Sequence, residues 1–422
     1  MQTFLSKAFK ETPEGREAEE ILRSCVHCGF CNATCPTYQL LGDERDGPRG
    51  RIYLIKEMLE NNAASRETQV HLDRCLTCRA CETTCPSGVQ YNRLLEIGRA
   101  AVEASIDRPL TEQIQRAALL RIVPEPGRFR TLLTLAKAVR PMLPAARRKT
   151  IPVPEPKGPA WPSETHARKV LLLEGCAQSV VAPSINLAAA RILNALGVQA
   201  LPASGCCGAL SHHLSQEERT LFTIRKNIDA WWPLIETGAE ALVLTASGCA
   251  PTVMDYGRLL RNNPDYADRA EKVASMAQDI SVFLEDEDLE SLQSPANGPV
   301  IAYHSPCTLQ HGLKHAGNVE ALLSRLGFRL APVQDAHLCC GSAGSYSILQ
   351  KELSQQLLER KLACLEKEKP ALIATANIGC LMHLQSGTDL PVSHWLELLG
   401  YQRKSSVSSD SRRQNRLASL PP

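Results

Sequence analysis

Four short apolar runs punctuate the second half of the chain, at 170–173, 241–244, 300–303 and 372–374. Turn-forming residues bound each run, and each is followed by a cysteine, a turn and a stretch with helical apolar spacing. Strands that alternate with helices in this way predict an α/β arrangement on a largely parallel sheet. The first half reads differently. Short helical patterns such as 51–60 separate cysteine-rich runs, which predicts a mostly helical domain over 21–105 behind a polar extension at 1–20. Residues 106–168 read as a helical basic segment and then a linker with Pro152, Pro154, Pro156, Pro159 and Pro162, where regular structure is not expected. The Ser- and Arg-rich stretch 402–422 has no periodicity and is expected to be disordered.

The apolar runs belong to a repeat. Cys176 maps onto Cys307, the Cys206–Cys207–Gly208 triplet onto Cys339–Cys340–Gly341, and Cys249 onto Cys380, at an offset of about 131 residues. Two similar α/β lobes follow, 169–290 and 298–400, with their strand-end cysteines expected near the join. The expected whole is a multidomain α+β chain: a helical N-terminal domain, then two repeated α/β lobes.

Composition narrows the chemistry. The 422 residues carry 17 cysteines and a formal net charge of only +2. That balance gives no electrostatic reason to expect nucleic acid. The first twenty residues have no apolar core of a secretory signal, and no run reaches the ~18 apolar residues of a membrane-spanning helix. Reduced thiols that bind metal on the cytoplasmic side are therefore expected.

The N-terminal cysteines define that metal. Cys25-x2-Cys28-x2-Cys31-x3-Cys35-Pro36 recurs fifty residues on as Cys75-x2-Cys78-x2-Cys81-x3-Cys85-Pro86. This is the ferredoxin spacing, in which three thiolates bind one [4Fe–4S] cubane and the fourth reaches to the other. Cys25, Cys28, Cys31 and Cys85 are assigned to cluster one, and Cys75, Cys78, Cys81 and Cys35 to cluster two. Four-thiolate zinc would have no use for the third cysteine and the Cys-Pro terminator in both runs. The proline is expected to stop the ligand turn from continuing as helix. Between the runs, Arg49 and Arg51 lie in a charged turn, read either as a surface turn opening a helix or as cations beside a cluster.

The lobe cysteines Cys176, Cys206, Cys207, Cys249, Cys307, Cys339, Cys340 and Cys380 are candidate ligands of further clusters, or redox thiols. Four per lobe at matching positions are hard to explain as packing, whereas Cys364, without a repeat mate, reads as a packing residue. The basic segment 121–149 has eight Arg or Lys residues against one acid, Glu125. It is expected to be an amphipathic helix packed on its own domain or on a partner, with an anionic membrane surface as the other reading.

Several motifs carry a family resemblance over nearly the whole chain. They are Cys25-Val26-His27-Cys28-Gly29-Phe30-Cys31, Gly47-Pro48-Arg49-Gly50-Arg51, Thr245-Ala246-Ser247-Gly248-Cys249 and His337-Leu338-Cys339-Cys340-Gly341-Ser342-Ala343-Gly344. The chain resembles the iron–sulfur subunits of glycolate oxidase (glycolate dehydrogenase) complexes. It is more distantly similar to heterodisulfide reductase subunits and to the iron–sulfur subunit of anaerobic glycerol-3-phosphate dehydrogenase. The resemblance implies two CCG domains, an electron relay from an FAD-binding subunit that oxidises glycolate or D-lactate, and a quinone or other acceptor at a membrane. The family's fullest CCG pattern ends each lobe in C-x2-C, but here Thr252 and His383 stand where the fifth cysteines would be. Disulfide reduction is therefore not carried over, and His383 reads as a satisfied histidine rather than a substitute ligand. No dinucleotide-binding motif is evident, so neither flavin nor nicotinamide is expected in this chain.

Overall fold

The computed structural model describes residues 1–144, 148–149, 151–156, 159–289, 292 and 298–399. The tail at 402–422, expected to be disordered, lies outside the described residues, as do Arg147 of the basic segment, Lys157 and Gly158 of the linker, and position 290 at the end of the first lobe.

The N-terminal domain is a packing of short helices. Three longer ones, Pro13–Ser24, Pro48–Asn61 and Tyr91–Ser105, bury Leu22, Ile55, Leu59, Leu94 and Leu95 in one core that also takes in Cys25, Cys75 and Cys81. Thr12 caps the first of these helices by accepting from the Gly15 N–H, with Pro13 in the first turn.

Each lobe holds a four-stranded, wholly parallel sheet. In the first, β1 (Arg168–Leu173), β2 (Val198–Ala203), β3 (Ala241–Leu244) and β4 (Ala277–Asp279) lie in the order β2-β1-β3-β4. In the second, β5 (Val300–His304), β6 (Arg329–Ala331), β7 (Leu372–Thr375) and β8 (Val392–His394) lie in the order β6-β5-β7-β8. The four runs visible in the sequence are the central pairs, covered on both faces and therefore continuously apolar. The outer strands were not legible: three of them span three residues each, and β2 carries Pro202.

Alternate residues of the central strands face opposite ways. Val170, Leu172, Ile301, Tyr303, Leu372 and Ala374 enter one core shared between the lobes, while Leu171, Leu173 and Leu244 enter a core private to the first lobe. Hydrogen bonds reinforce the join, from Ser247 N–H to the Ala376 carbonyl at 3.2 Å and from His394 Nε2 to the Thr245 carbonyl at 3.0 Å. The N-terminal domain leans on the second lobe through Leu76, Cys78, Tyr346 and Leu357, and Tyr346 Oη donates to the Arg74 carbonyl at 3.1 Å. Helix Pro126–Val139 packs on the shared core through Leu133 and Phe129, leaving Leu132, Leu135 and Val139 exposed. Among the described residues, no helix is long and apolar enough to cross a membrane.

Candidate metal centres

The two cysteine runs fold into matching loops. Left-handed backbone recurs at both intervening positions, with φ of +56° at His27 and +83° at Gly29, then +55° at Thr77 and +62° at Arg79. Only the glycine adopts this without strain, and for a β-branched threonine it is a marked outlier. The curl turns backbone N–H groups toward the sulfurs, as where Thr77 N–H lies 3.5 Å from Cys75 Sγ. Pro36 does more than end the ligand turn: it is also the first residue of helix Pro36–Leu41, because proline suits a helix N-terminus where no N–H bond is needed.

These loops frame two cavities. The larger, of about 430 Å³, is lined by Cys25, Cys28, Cys31 and Cys85. The other, of about 300 Å³, is lined by Cys35, Cys75 and Cys78. Cys81 and Tyr91 line both. Each space thus gathers the four thiols expected for one cluster, with the fourth donor crossing from the opposite run. The donor set suits a polynuclear cation. Burial pushes the Cys31 thiol up to about 11, with the neighbouring Cys25 and Cys28 adding to the effect, so Cys31 keeps its proton at neutral pH unless positive charge joins the site.

The turn between the runs combines both sequence readings. It opens helix Pro48–Asn61, and it sends Arg49 to the first cavity and Arg51 to the second. Arg49 Nε donates to Glu44 at 2.6 Å. Arg51 is 1% exposed and donates to the His71 carbonyl at 2.7 Å and to Thr37 Oγ1 at 3.1 Å. Asp46, equally buried, accepts from Arg74 at 2.9 Å and hydrogen-bonds the His71 ring at 2.9 Å. Sequence reasoning missed Asp46, His71 and Thr37. Nothing in their local pattern signals burial, which comes from contacts made across the turn.

In each lobe the four cysteines form a row. Cys176, Cys206, Cys207 and Cys249 are successive neighbours, and so are Cys307, Cys339, Cys340 and Cys380. Cys307 and Cys339 have their sulfurs 3.8 Å apart. In the first lobe the thiols of Cys176 and Cys207 flank Cys206 and lower its pKa. The second row meets the N-terminal domain: burial raises Cys78, and Cys307 is the thiol that adds most to it. Cys78, Cys307 and Cys339 share one small apolar cluster with Leu76 and Tyr346. Cys364 lies apart, half-buried in helix Lys351–Glu366. The His383 ring shares a hydrogen bond with Ser354 Oγ at 3.2 Å. A histidine the sequence reading did not single out, His304 at the end of β5, approaches Cys340 and Cys380 instead. A signal was present: His304 stands where the repeat places Leu173, three residues before the upstream cysteine.

Residues 21–89 match the family described as 4Fe-4S dicluster domain, and residues 170–253 and 301–385 each match the Cysteine-rich domain (CCG) family. The chain is 52% identical over 401 residues to the "Glycolate oxidase iron-sulfur subunit" of Escherichia coli (strain K12), covering 94% of this chain and 98% of that one. It is 30% identical over 416 residues to the "Probable glycolate oxidase iron-sulfur subunit" of Bacillus subtilis (strain 168), covering 91% and 92%. A "Lactate utilization protein A" of Shouchella clausii is 26% identical over 204 residues, which is 46% of this chain and 82% of that protein. A crystal structure of a hypothetical protein from Helicobacter pylori superposes with a TM-score of 0.56 over 95% of this chain and 74% of that one; at 11% identity it shares the fold alone. With relatives 52% and 30% identical over more than nine tenths of both chains, and all three domains matched, the chain belongs to the glycolate oxidase iron–sulfur subunit family.

Proposed function

We propose that this chain is the electron-transfer subunit of a glycolate dehydrogenase complex. It takes electrons from an FAD-bearing partner subunit that oxidises glycolate, and D-lactate as well, to the 2-oxo acid, and passes them to a quinone or another acceptor. The observation that carries the reading is the pair of adjoining cavities, one lined by Cys25, Cys28, Cys31 and Cys85 and the other by Cys35, Cys75 and Cys78, with Cys81 on the wall of both. Two [4Fe–4S] clusters held there, one by Cys25, Cys28, Cys31 and Cys85 and one by Cys75, Cys78, Cys81 and Cys35, supply one-electron transfer and so divide the pair a flavin releases.

The remaining residues set the conditions for that transfer. Arg51 holds a positive charge in a dry site beside Cys35, which favours the reduced, more negative state. Tyr91 lines both cavities and directs its hydroxyl to Cys75 Sγ at 3.6 Å. Cys28 is exposed, and beside it Val26 and Phe30 are 67% and 61% exposed, which supports docking of the flavoprotein at this edge. At the other end, contact between Cys78 and the Cys307–Cys339 pair supports a route into the second lobe. The chain sits peripherally at the cytoplasmic side of the inner membrane. A heterodisulfide reductase-like reading gains nothing from Thr252 and His383, the latter being engaged with Ser354.

The test is the complex purified without oxygen with Cys78→Ser. Turnover with the natural acceptor is lost while the flavoprotein still reduces an artificial dye. Wild-type turnover in that variant contradicts the relay.

A further inference from the structure

The chain after Cys307 does not continue as an ordinary helical turn. Thr308–Gly312 form a π-turn, a conformation that recurs at functional sites. Its polar side chains tie three parts of the molecule together. Thr308 Oγ1 lies 2.9 Å from Ser247 Oγ of the first lobe, and Gln310 Nε2 donates to the Ser305 and Ala336 carbonyls at 2.6 and 3.1 Å. His311, 8% exposed, reaches the N-terminal domain. Its Nδ1 lies 2.9 Å from Thr83 Oγ1, and its Nε2 donates to the His337 carbonyl at 2.9 Å. Burial lowers its pKa, and the neutral ring with its proton on Nε2 serves both partners. Thr83 lies in helix Ala80–Thr84, between Cys81 and Cys85, and His337 is two residues before Cys339. At the equivalent position the first lobe carries Val180, packed into the shared core. The repeat thus departs from its own pattern where the N-terminal domain docks.

We propose that His311 is a positioning residue for electron transfer between the N-terminal domain and the second lobe: it clamps helix Ala80–Thr84 to the loop before Cys339 and so fixes Cys78 against Cys307. The inference rests on the relay reading above. Cys78, Cys307 and Cys339 meet in a small apolar cluster with Leu76, Tyr346 and Leu357. Apolar contact is non-directional and sets no register by itself. Two hydrogen bonds on one rigid ring fix both distance and angle. A second polar tie, from Tyr346 Oη to the Arg74 carbonyl at 3.1 Å, stands just before Cys75, while Thr83 stands just after Cys81. The two ties therefore bracket the cysteine run that faces the second lobe. A join free to slide would spread the separation of Cys78 and Cys307 and slow transfer. It would also admit water to Cys78, which favours the more negative, reduced state of the cluster held there.

The full chain in complex with its flavoprotein, purified without oxygen, tests this as wild type, Thr83→Val, Thr83→Ser and His311→Leu. Redox titration followed by electron paramagnetic resonance reads the midpoint of each cluster, and glycolate turnover is read with a short-chain ubiquinone. Thr83→Val and His311→Leu raise the midpoint of the cluster bound by Cys78, leave that of the cluster bound by Cys28 in place, and slow turnover at least about tenfold. Thr83→Ser, which keeps the hydroxyl, matches wild type. Lower melting temperatures with both midpoints unchanged would make His311 a packing residue and overturn the proposal, as would Thr83→Ser behaving like Thr83→Val. If Thr83→Val fails to hold iron, His311→Leu, outside the cluster loops, decides. A wild type whose clusters glycolate does not reduce refutes the relay reading instead, and the midpoints alone then judge the clamp.

Discussion

Arg51 Nη1 lies 4.0 Å from Cys35 Sγ, in a residue 1% exposed to solvent. A cation fixed there opposes the negative charge that a cluster gains on reduction. At about 7 Å and an effective dielectric of about 20, one charge is worth roughly 2 kcal/mol. That corresponds to on the order of 100 mV for a one-electron couple. Arg51→Gln should therefore lower the midpoint of the cluster bound by Cys35 by about that much, and the other cluster by less. Redox titration followed by electron paramagnetic resonance reads both, and an unshifted pair would show that Arg51 serves packing alone.

His394 pins the two lobes. Its Nε2–H donates to the Thr245 carbonyl at 3.0 Å, and Nδ1 accepts from the Leu396 N–H at 3.3 Å, so the neutral ring satisfies both neighbours. Burial pushes its pKa down from 6.5 to about 4. The unfolded chain then binds the proton more readily than the folded one between those values, and stability is lost as pH falls from about 6.5 towards 4. The loss attributable to this group is on the order of 3 kcal/mol. His394→Gln should be less stable at pH 7 by about 1–2 kcal/mol and lose less on acidification. Thermal midpoints of both proteins from pH 7 to 4 check this; parallel curves would contradict it.

The equivalent glycines of the two vicinal-cysteine loops should differ in tolerance. Gly208 and Gly341 both have left-handed backbone, with φ of +87° and +92°. A Cβ at Gly208 would meet nothing nearer than 3.8 Å, whereas at Gly341 it would stand 2.7 Å from the Ser354 carbonyl oxygen and 2.9 Å from Leu357 Cβ. Gly208→Ala should cost only the conformational strain, about 1–2 kcal/mol. Gly341→Ala should cost a further 1–3 kcal/mol for the overpacking. Equal melting shifts would argue against the tight second loop.

Helix Pro126–Val139 buries Leu133 but leaves Leu135 and Val139 63% and 52% exposed, next to Arg128, Lys137 and Arg140. Peripheral attachment to anionic lipid through this edge predicts that Arg128→Glu with Arg140→Glu moves the complex from the membrane to the soluble fraction. Unchanged fractionation would assign the edge to a protein partner instead.

Much of this was legible because spacing carries it. The thiol groupings of Cys25 and Cys75 follow from covalent distance along the chain, and β1, β3, β5 and β7 from burial on both faces. What the sequence hid depends on contacts between distant segments. Arg51 and Asp46 look like a surface turn until Thr37 and His71 cover them. Cys78 meets Cys307 only because the N-terminal domain docks on the second lobe. His304 was visible as a break in the repeat, a polar residue in place of Leu173, but its approach to Cys340 and Cys380 depends on the sheet and the following loop together.

The central claim is that the first ninety residues carry two iron–sulfur clusters. Iron and acid-labile sulfide counted in the full chain after oxygen-free purification test it most directly. The account predicts at least about eight of each per chain, falling by about four in Cys78→Ser. A colourless protein containing zinc and no labile sulfide would contradict it.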